Sequence, residues 1–210
     1  NYTMPKVEET VEEKTKPLLS LILLFDSDRE EALEAYRNVS KTLNELKLPY
    51  SLSLCAKYVD AYMGLNSKTD IVIPASYMKV ALTKIPLEIA KLEIEFSIKT
   101  LESNVEKVKD KFFLIPVYDL NSKVLKILSE SGFKYIILCE EKTTQSLKYG
   151  DTIIVTSINY SQLNLTKILE GKRLTLITIS IDEVASKNSL KTLVKTLKNI
   201  YSLRNEKKLL

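Results

Sequence analysis

Histidine is absent from the whole chain. No imidazole can therefore act as general base, as proton shuttle or as metal ligand. The chemistry left to the sequence rests on carboxylates, lysines and thiols. Carboxylates stand at Asp26 and Asp28, in Leu24-Phe25-Asp26-Ser27-Asp28, at Asp119, and at Glu140 and Glu141. Two carboxylates facing one cleft can hydrolyse a glycosidic bond, one as acid and the other as nucleophile or base. Asp26, Asp119 and the Glu140-Glu141 pair each follow an apolar, strand-like run, so strand ends must bring any such pair together. Lys79, two residues after Tyr77, offers a cation and a ring for an anion or a sugar acid. Asp28 reads first as a helix cap, Tyr118 as a loop-anchoring aromatic, and Asp119 as the cap region of a following helix.

Other chemistries are poorly served. Four glycines in the chain leave no GxGxxG or GxxxxGK[ST] loop, so nucleotide binding by those cradles is excluded. Cys55 and Cys139 each lie inside an apolar run and read as buried free thiols, with a single disulfide as the alternative in an exported chain. Two cysteines without histidine make a poor zinc site. The net charge of +4 is modest. The basic tail of Arg204, Lys207 and Lys208 reads as a solvated helix end, and no basic stripe interleaved with aromatics marks a nucleic-acid partner. No apolar run is long enough to span a membrane.

The chain begins at Asn1 rather than Met, which points to a processed form or a fragment. Asn-x-Ser/Thr sequons stand at Asn1, Asn38, Asn159 and Asn164. Together these tilt the expectation toward an exported, glycosylated protein at the cell surface, with a cytoplasmic one as the alternative.

The elements that must position these groups alternate. Residues 1–16 are polar and charged, bounded by Pro17, and read as an arm or linker ahead of one domain over 17–210. An apolar strand over 18–25 leads to a helix whose start is a capping-box pattern of Asp28 and Glu31. Strands follow at 50–55 and 71–73. Leu87, Ala90, Ile94, Ile98, Leu101, Val105 and Val108 then repeat at helical spacing, which predicts one amphipathic helix from Pro86 to about Lys109, charged on its outer face. Further strands are predicted at 112–115, 135–139, 152–155 and 174–180. Helices are expected at 122–129, stopped by Gly132, at 161–169, and from caps at Asp182 and Ser189 through Leu203. Short strands, apolar throughout, belong in a sheet covered on both faces. The class is α/β with about seven mostly parallel strands, in an irregular barrel or a doubly wound sheet.

The order of these segments resembles the polysaccharide deacetylase family of metal-dependent carbohydrate esterases, over most of the chain from Leu18 to Ser180. The family's first strand ends in Phe-Asp-Asp-Gly, similar to Phe25-Asp26-Ser27-Asp28. Its next strand looks like Lys47–Leu54, and its Ser-Pro-Glu-Glu-Ile helix start looks like Ile85-Pro86-Leu87-Glu88-Ile89. Its Arg-Pro-Pro-Tyr-Gly motif is similar to Ile115-Pro116-Val117-Tyr118-Asp119. The resemblance implies a distorted (β/α) barrel, with Asp26 in the place of the catalytic base. The departures fall on the metal ligands. Ser27 stands where the metal-binding Asp belongs, and Ala75 and Lys79 where the two histidines belong. Ile115 replaces the arginine, and Thr178 the late histidine. Ser, Ala and Lys cannot hold the divalent ion that makes water nucleophilic in this chemistry.

The expectation is therefore a catalytically inactive, deacetylase-like domain without cofactor or metal. Asp26, Ser27, Ala75, Lys79 and Tyr118 would line its vestigial pocket. Its role would be structural, in assembly, or in carbohydrate binding at the cell surface, with a glycan or a surface protein as partner. The alternative is a divergent, carboxylate-based glycan hydrolase. If the domain is structural, side chains should fill the pocket; if it is a binding module, the pocket should be open.

Overall fold

A computed structural model of the chain describes residues 16–65, 71–76, 81–141, 146–171, 174–206 and 208–209, the side chains of Glu140 and Glu141 excepted. Nine strands and six helices alternate along these residues. They are β1 (Leu18–Phe25), α1 (Glu30–Glu45), β2 (Tyr50–Cys55), α2 (Val59–Leu65), β3 (Ile71–Ala75), α3 (Leu87–Glu102), β4 (Lys107–Val108) and β5 (Phe112–Pro116). There follow α4 (Ser122–Glu130), β6 (Tyr135–Glu141), β7 (Ser146–Tyr149), β8 (Thr152–Asn159), α5 (Leu165–Glu170), β9 (Leu174–Ser180) and α6 (Lys187–Asn205).

Strands β2, β1, β9, β8, β6, β5 and β3 form a ring that closes through a β2–β3 pairing. Every pairing within the ring is parallel. The chain is thus a (β/α) barrel, and the doubly wound alternative falls away. Two seams make it irregular. β3 meets β5 only at Ala75↔Leu114, and β8 meets β9 only at Ile158↔Ile177 and Asn159↔Thr178. The second seam is short because β7 pairs antiparallel with β8 from Tyr149↔Thr152 to Ser146↔Val155.

Alternate residues of a strand point to opposite sides of the wall. On β5 and β6, Phe113, Ile115, Ile136 and Leu138 pack outward under α3 and α4, joined by Ile94, Val124 and Leu128. Leu114, Ile137 and Cys139 belong instead to the main core with β1, β2 and β9. In that core Phe25, Tyr36 and Tyr62 meet edge to face, with centroids 5.1 to 6.1 Å apart.

Several boundaries differ from expectation. α1 begins at Glu30 behind Arg29, and no side chain caps it, so Asp28 and Glu31 do not form a capping box. Asp182 is no cap either. Ser186 caps α6 by accepting from the amide of Ser189. α3 ends at Glu102, and Val108 leaves the helical pattern to join a β3-paired strand. Pro86 precedes α3 as its cap residue, since its fixed φ suits the entry to a helix. The outer face of α3 is less polar than predicted, with Leu92 58% and Phe96 61% exposed. Residues 1–15 of the expected arm lie outside the described residues.

Candidate functional site

Catalytic groups of a parallel barrel gather at the carboxyl ends of its strands. At that end Leu24 and Asp26 of the β1 segment, Thr178 and Ser180 of β9, Cys139 of β6, Asn159 of β8 and Glu183 surround one small cavity. Spacing by two along β1 and along β9 turns both members of each pair to the same side of the wall. The cavity holds about 20 Å³, room for roughly one water molecule.

Hydrogen bonds tie together the groups around this cavity. Ser180 Oγ donates to Asp26 Oδ2 at 2.6 Å, and the amide of Asp182 donates to Asp26 Oδ1 at 3.2 Å. Ser180 Oγ in turn accepts from the amide of Glu183 at 3.2 Å. Deeper in, Ser157 Oγ lies 2.7 Å from Thr178 Oγ1 and donates to the carbonyl of Leu138 at 3.0 Å. At the rim, Asn159 Nδ2 donates to Glu183 Oε2 at 2.6 Å. Arg29 Nε pairs with Asp182 Oδ1 at 3.0 Å in solvent. Burial lifts the Asp26 carboxyl to about 6, the Ser180 and Asp182 hydrogen bonds holding back part of the rise and the charges of Asp182 and Glu183 adding a little.

The expected pocket residues separate. Asp26 lines the cavity. Ser27 is buried beside it and accepts from the amide of Arg29 at 3.4 Å. Ala75 is fully buried in the barrel wall between Cys55 and Leu114. Tyr118 sits 56% exposed in the turn after β5. Neither Ala75 nor Tyr118 lines the cavity. Lys79 and Tyr77 lie outside the described residues. Cys55 and Cys139 are buried free thiols in contact with the carbonyls of Ser76 and Ile115. Asn38 is exposed on α1, Asn159 and Asn164 cap the turns that follow them, and Asn1 is outside the described residues.

Asp119, the other carboxylate at a strand end, is 1% exposed. Burial pushes its carboxyl upward, and the nearby amides of Leu82 and Thr83 offset part of the rise. Neither amide reaches strict hydrogen-bonding geometry, and neither carboxylate oxygen has a partner among the described residues. Asp119 does not share the cavity of Asp26. On the ring, β5 and β1 are separated by β3 and β2 on one side and by β6, β8 and β9 on the other.

Sequence reasoning missed Ser157, Asn159, Ser180 and Glu183. A signal existed: Thr156-Ser157, Asn159, Thr178 and Ser180 gather polar groups at the carboxyl ends of two strands that are apolar elsewhere except at Thr152 and Thr175. Hydroxyls at wall positions of a buried strand need partners, which marks that seam as polar.

These donors do not fit the metal of a carbohydrate esterase. The cavity brings a single half-buried carboxylate, already holding two hydrogen bonds, beside hydroxyls, an amide, a thiol and a rim carboxylate engaged by Asn159. No cluster of three acidic or thiol ligands occurs among the described residues, and the sequence has no histidine to add.

No protein-family model and no curated protein sequence matches the chain. Solved structures do. A candidate polysaccharide deacetylase from Mycobacterium smegmatis superposes with a TM-score of 0.63 at 13% identity, over 90% of this chain and 85% of that one. A family 4 carbohydrate esterase from Bacillus anthracis gives 0.57 at 13%, over 92% and 79%. A family 4 pseudoenzyme from the same organism gives 0.53 at 12%, over 89% and 62%, and a mutant of it with restored activity gives the same score. The chain has the fold of the polysaccharide deacetylases, shared with active and inactive proteins alike.

Proposed function

We propose that this deacetylase-like barrel is catalytically silent and serves as a structural or glycan-binding component of the cell surface. The observation that carries the reading is the small, hydrogen-bonded cavity that the described residues leave at the carboxyl ends of β1, β8 and β9. Where a deacetylase needs a metal-bound water, an acid for the leaving group and room for a sugar, this chain offers about 20 Å³ bounded by side chains. Asp26 is held by Ser180 and the amide of Asp182, which favours a structural use of the mouth over a binding one. The carboxylate-hydrolase alternative has less support, since Asp119 is sealed away from Asp26. Export and glycosylation at Asn38 belong to the same proposal, whereas Asn159 and Asn164 spend their side chains on capping turns. Exposed Asn38 is a sequon that glycopeptide mass spectrometry of the native protein would read.

The test is metal loading with activity. Purified protein is incubated with zinc, nickel or cobalt, freed of excess, and analysed by elemental mass spectrometry. The same samples are then assayed for acetate release from chitin oligosaccharides and peptidoglycan. The reading expects no retained ion and no acetate. One tightly held ion per chain together with acetate release would overturn it.

A further inference from the structure

Away from the mouth, a second concavity of about 560 Å³ lies between the 160–165 segment and α6. Tyr160, Leu163 and Leu165 supply its apolar surface, and Ser161, Asn164, Asn188, Ser189, Thr192 and Thr196 its polar one. Its lining holds no charge at all. Amides, hydroxyls and one aromatic ring are the groups that match the mixed polar and apolar faces of a sugar. Tyr160 is fixed in place by its hydroxyl, which donates to the carbonyl of Ser189 at 3.2 Å.

A second observation concerns the edge of this groove. α6 carries Lys187, Lys191, Lys195, Lys198 and Arg204 and no acidic residue. At about 100° per residue the four lysines fall within an arc of about 80°, over roughly 16 Å of helix axis. Asn188 and Thr192 continue the same surface into the groove. Leu193, Leu197 and Ile200 bury the opposite face, so the lysine row points outward. All four lysines are exposed, and none forms an ion pair among the described residues. A neutral groove bordered by a single-sign row suits a ligand with sugar faces on one side and regularly spaced anions on the other. A bilayer would need an exposed apolar flank on α6, where Tyr201 is the one large exposed hydrophobic.

We infer that the groove between the 160–165 segment and α6 is a binding site for a linear acidic oligosaccharide, with Lys187, Lys191, Lys195 and Lys198 facing its carboxylates. The inference shares the glycan-binding half of the proposed function but not its silent active site. It moves glycan recognition from the barrel mouth to an outer groove.

The probe is tetragalacturonate, titrated into the full chain by calorimetry, with chitotetraose and inorganic polyphosphate as comparisons. Tetragalacturonate should bind, and chitotetraose at least tenfold more weakly. The surface double variant Lys191→Glu/Lys195→Glu should weaken tetragalacturonate at least tenfold. Thr192→Phe, which narrows the groove without changing charge, should also weaken it several-fold while leaving polyphosphate unaffected. Circular dichroism checks folding, and Thr192→Gln replaces the Phe variant if that chain misfolds. Absence of tetragalacturonate binding would overturn the inference. So would loss with the charge variant but not with the groove variant, which is plain electrostatic attraction. If Asp26→Ala abolishes binding and the groove variants do not, the glycan sits at the mouth and the inference fails while the glycan-binding reading stands. Acetate release would sink the silent-site reading and leave the groove untouched.

Discussion

Two aspartates follow strand ends of the same barrel, Asp26 half-buried and Asp119 fully buried, and their surroundings differ. Asp26 follows β1 and is held on both oxygens, by Ser180 and by the amide of Asp182. Asp119 follows β5 and has neither oxygen hydrogen-bonded among the described residues. Burial raises both carboxyls. The contrast shows that a carboxylate in a position typical of catalysis can serve to fasten one strand end to another, and that burial alone does not make an active site. Asp26 ties the end of β1 to the last residue of β9, 154 residues away, and to the turn after it, 156 residues away. Among the described residues Asp119 has only the nearby amides of Leu82 and Thr83 to offset its burial, which is a cost the surrounding core must carry.

Breaking the Asp26 fastening should have the largest effect. Ser180→Val leaves Asp26 Oδ2 and the amide of Glu183 without their shared hydroxyl, and should cost about 2–3 kcal/mol in urea unfolding. It should also push the Asp26 carboxyl further up, since the main lowering contact is gone. Next comes Asp26→Asn, which keeps an acceptor for the Asp182 amide and removes the buried charge. Asp26 titrates near 3.8 in the unfolded chain and near 6 in the folded one. Between those values the folded state holds a proton that the unfolded state has released, so stability falls as pH rises from about 4 to 6 and is level above. Asp26→Asn should flatten that slope in thermal melts across the window and gain on the order of 2 kcal/mol at pH 7.5. A variant that leaves the slope in place would assign it to other groups, with Asp119 the first candidate.

Smaller effects sharpen the contrast. Asp119→Asn should gain roughly 1 kcal/mol at neutral pH by removing an unpartnered buried charge. Loss of stability instead would mean that Asp119 has a partner in solution. Arg29→Ala removes an ion pair whose two side chains are 56% and 47% exposed, and chemical denaturation should register no more than about 0.5 kcal/mol. A larger loss would make the Arg29–Asp182 pair part of the Asp26 fastening.

Much of the fold was legible in the sequence because it is local. The apolar runs at 18–25, 50–55 and 174–180 became β1, β2 and β9 at those bounds. The helix expected over 122–129 is α4, with Gly132 at φ +89° just beyond its end. Local reasoning failed where a partner distant in the chain decides. Val108 fits the helical spacing of α3 but leaves it to pair with Val72. Asp28 has the chemistry of a cap, yet Arg29 occupies that position. The strand β7 escaped because Ser146-Leu147-Lys148-Tyr149 is only four residues long and exposed throughout, so its alternation is too brief to mark a strand.

By itself, the sequence determined the alternation of strands and helices and the absence of any imidazole chemistry. Both are properties of residue types and of spacing along a few turns. Tertiary structure alone decided that the ring closes, that Ser180 meets Asp26, that Asp119 is buried apart from Asp26, and that a neutral groove lies beside the lysine row of α6. Each of these joins segments far apart in sequence, and which distant groups meet is set by strand pairing and core packing rather than by local pattern.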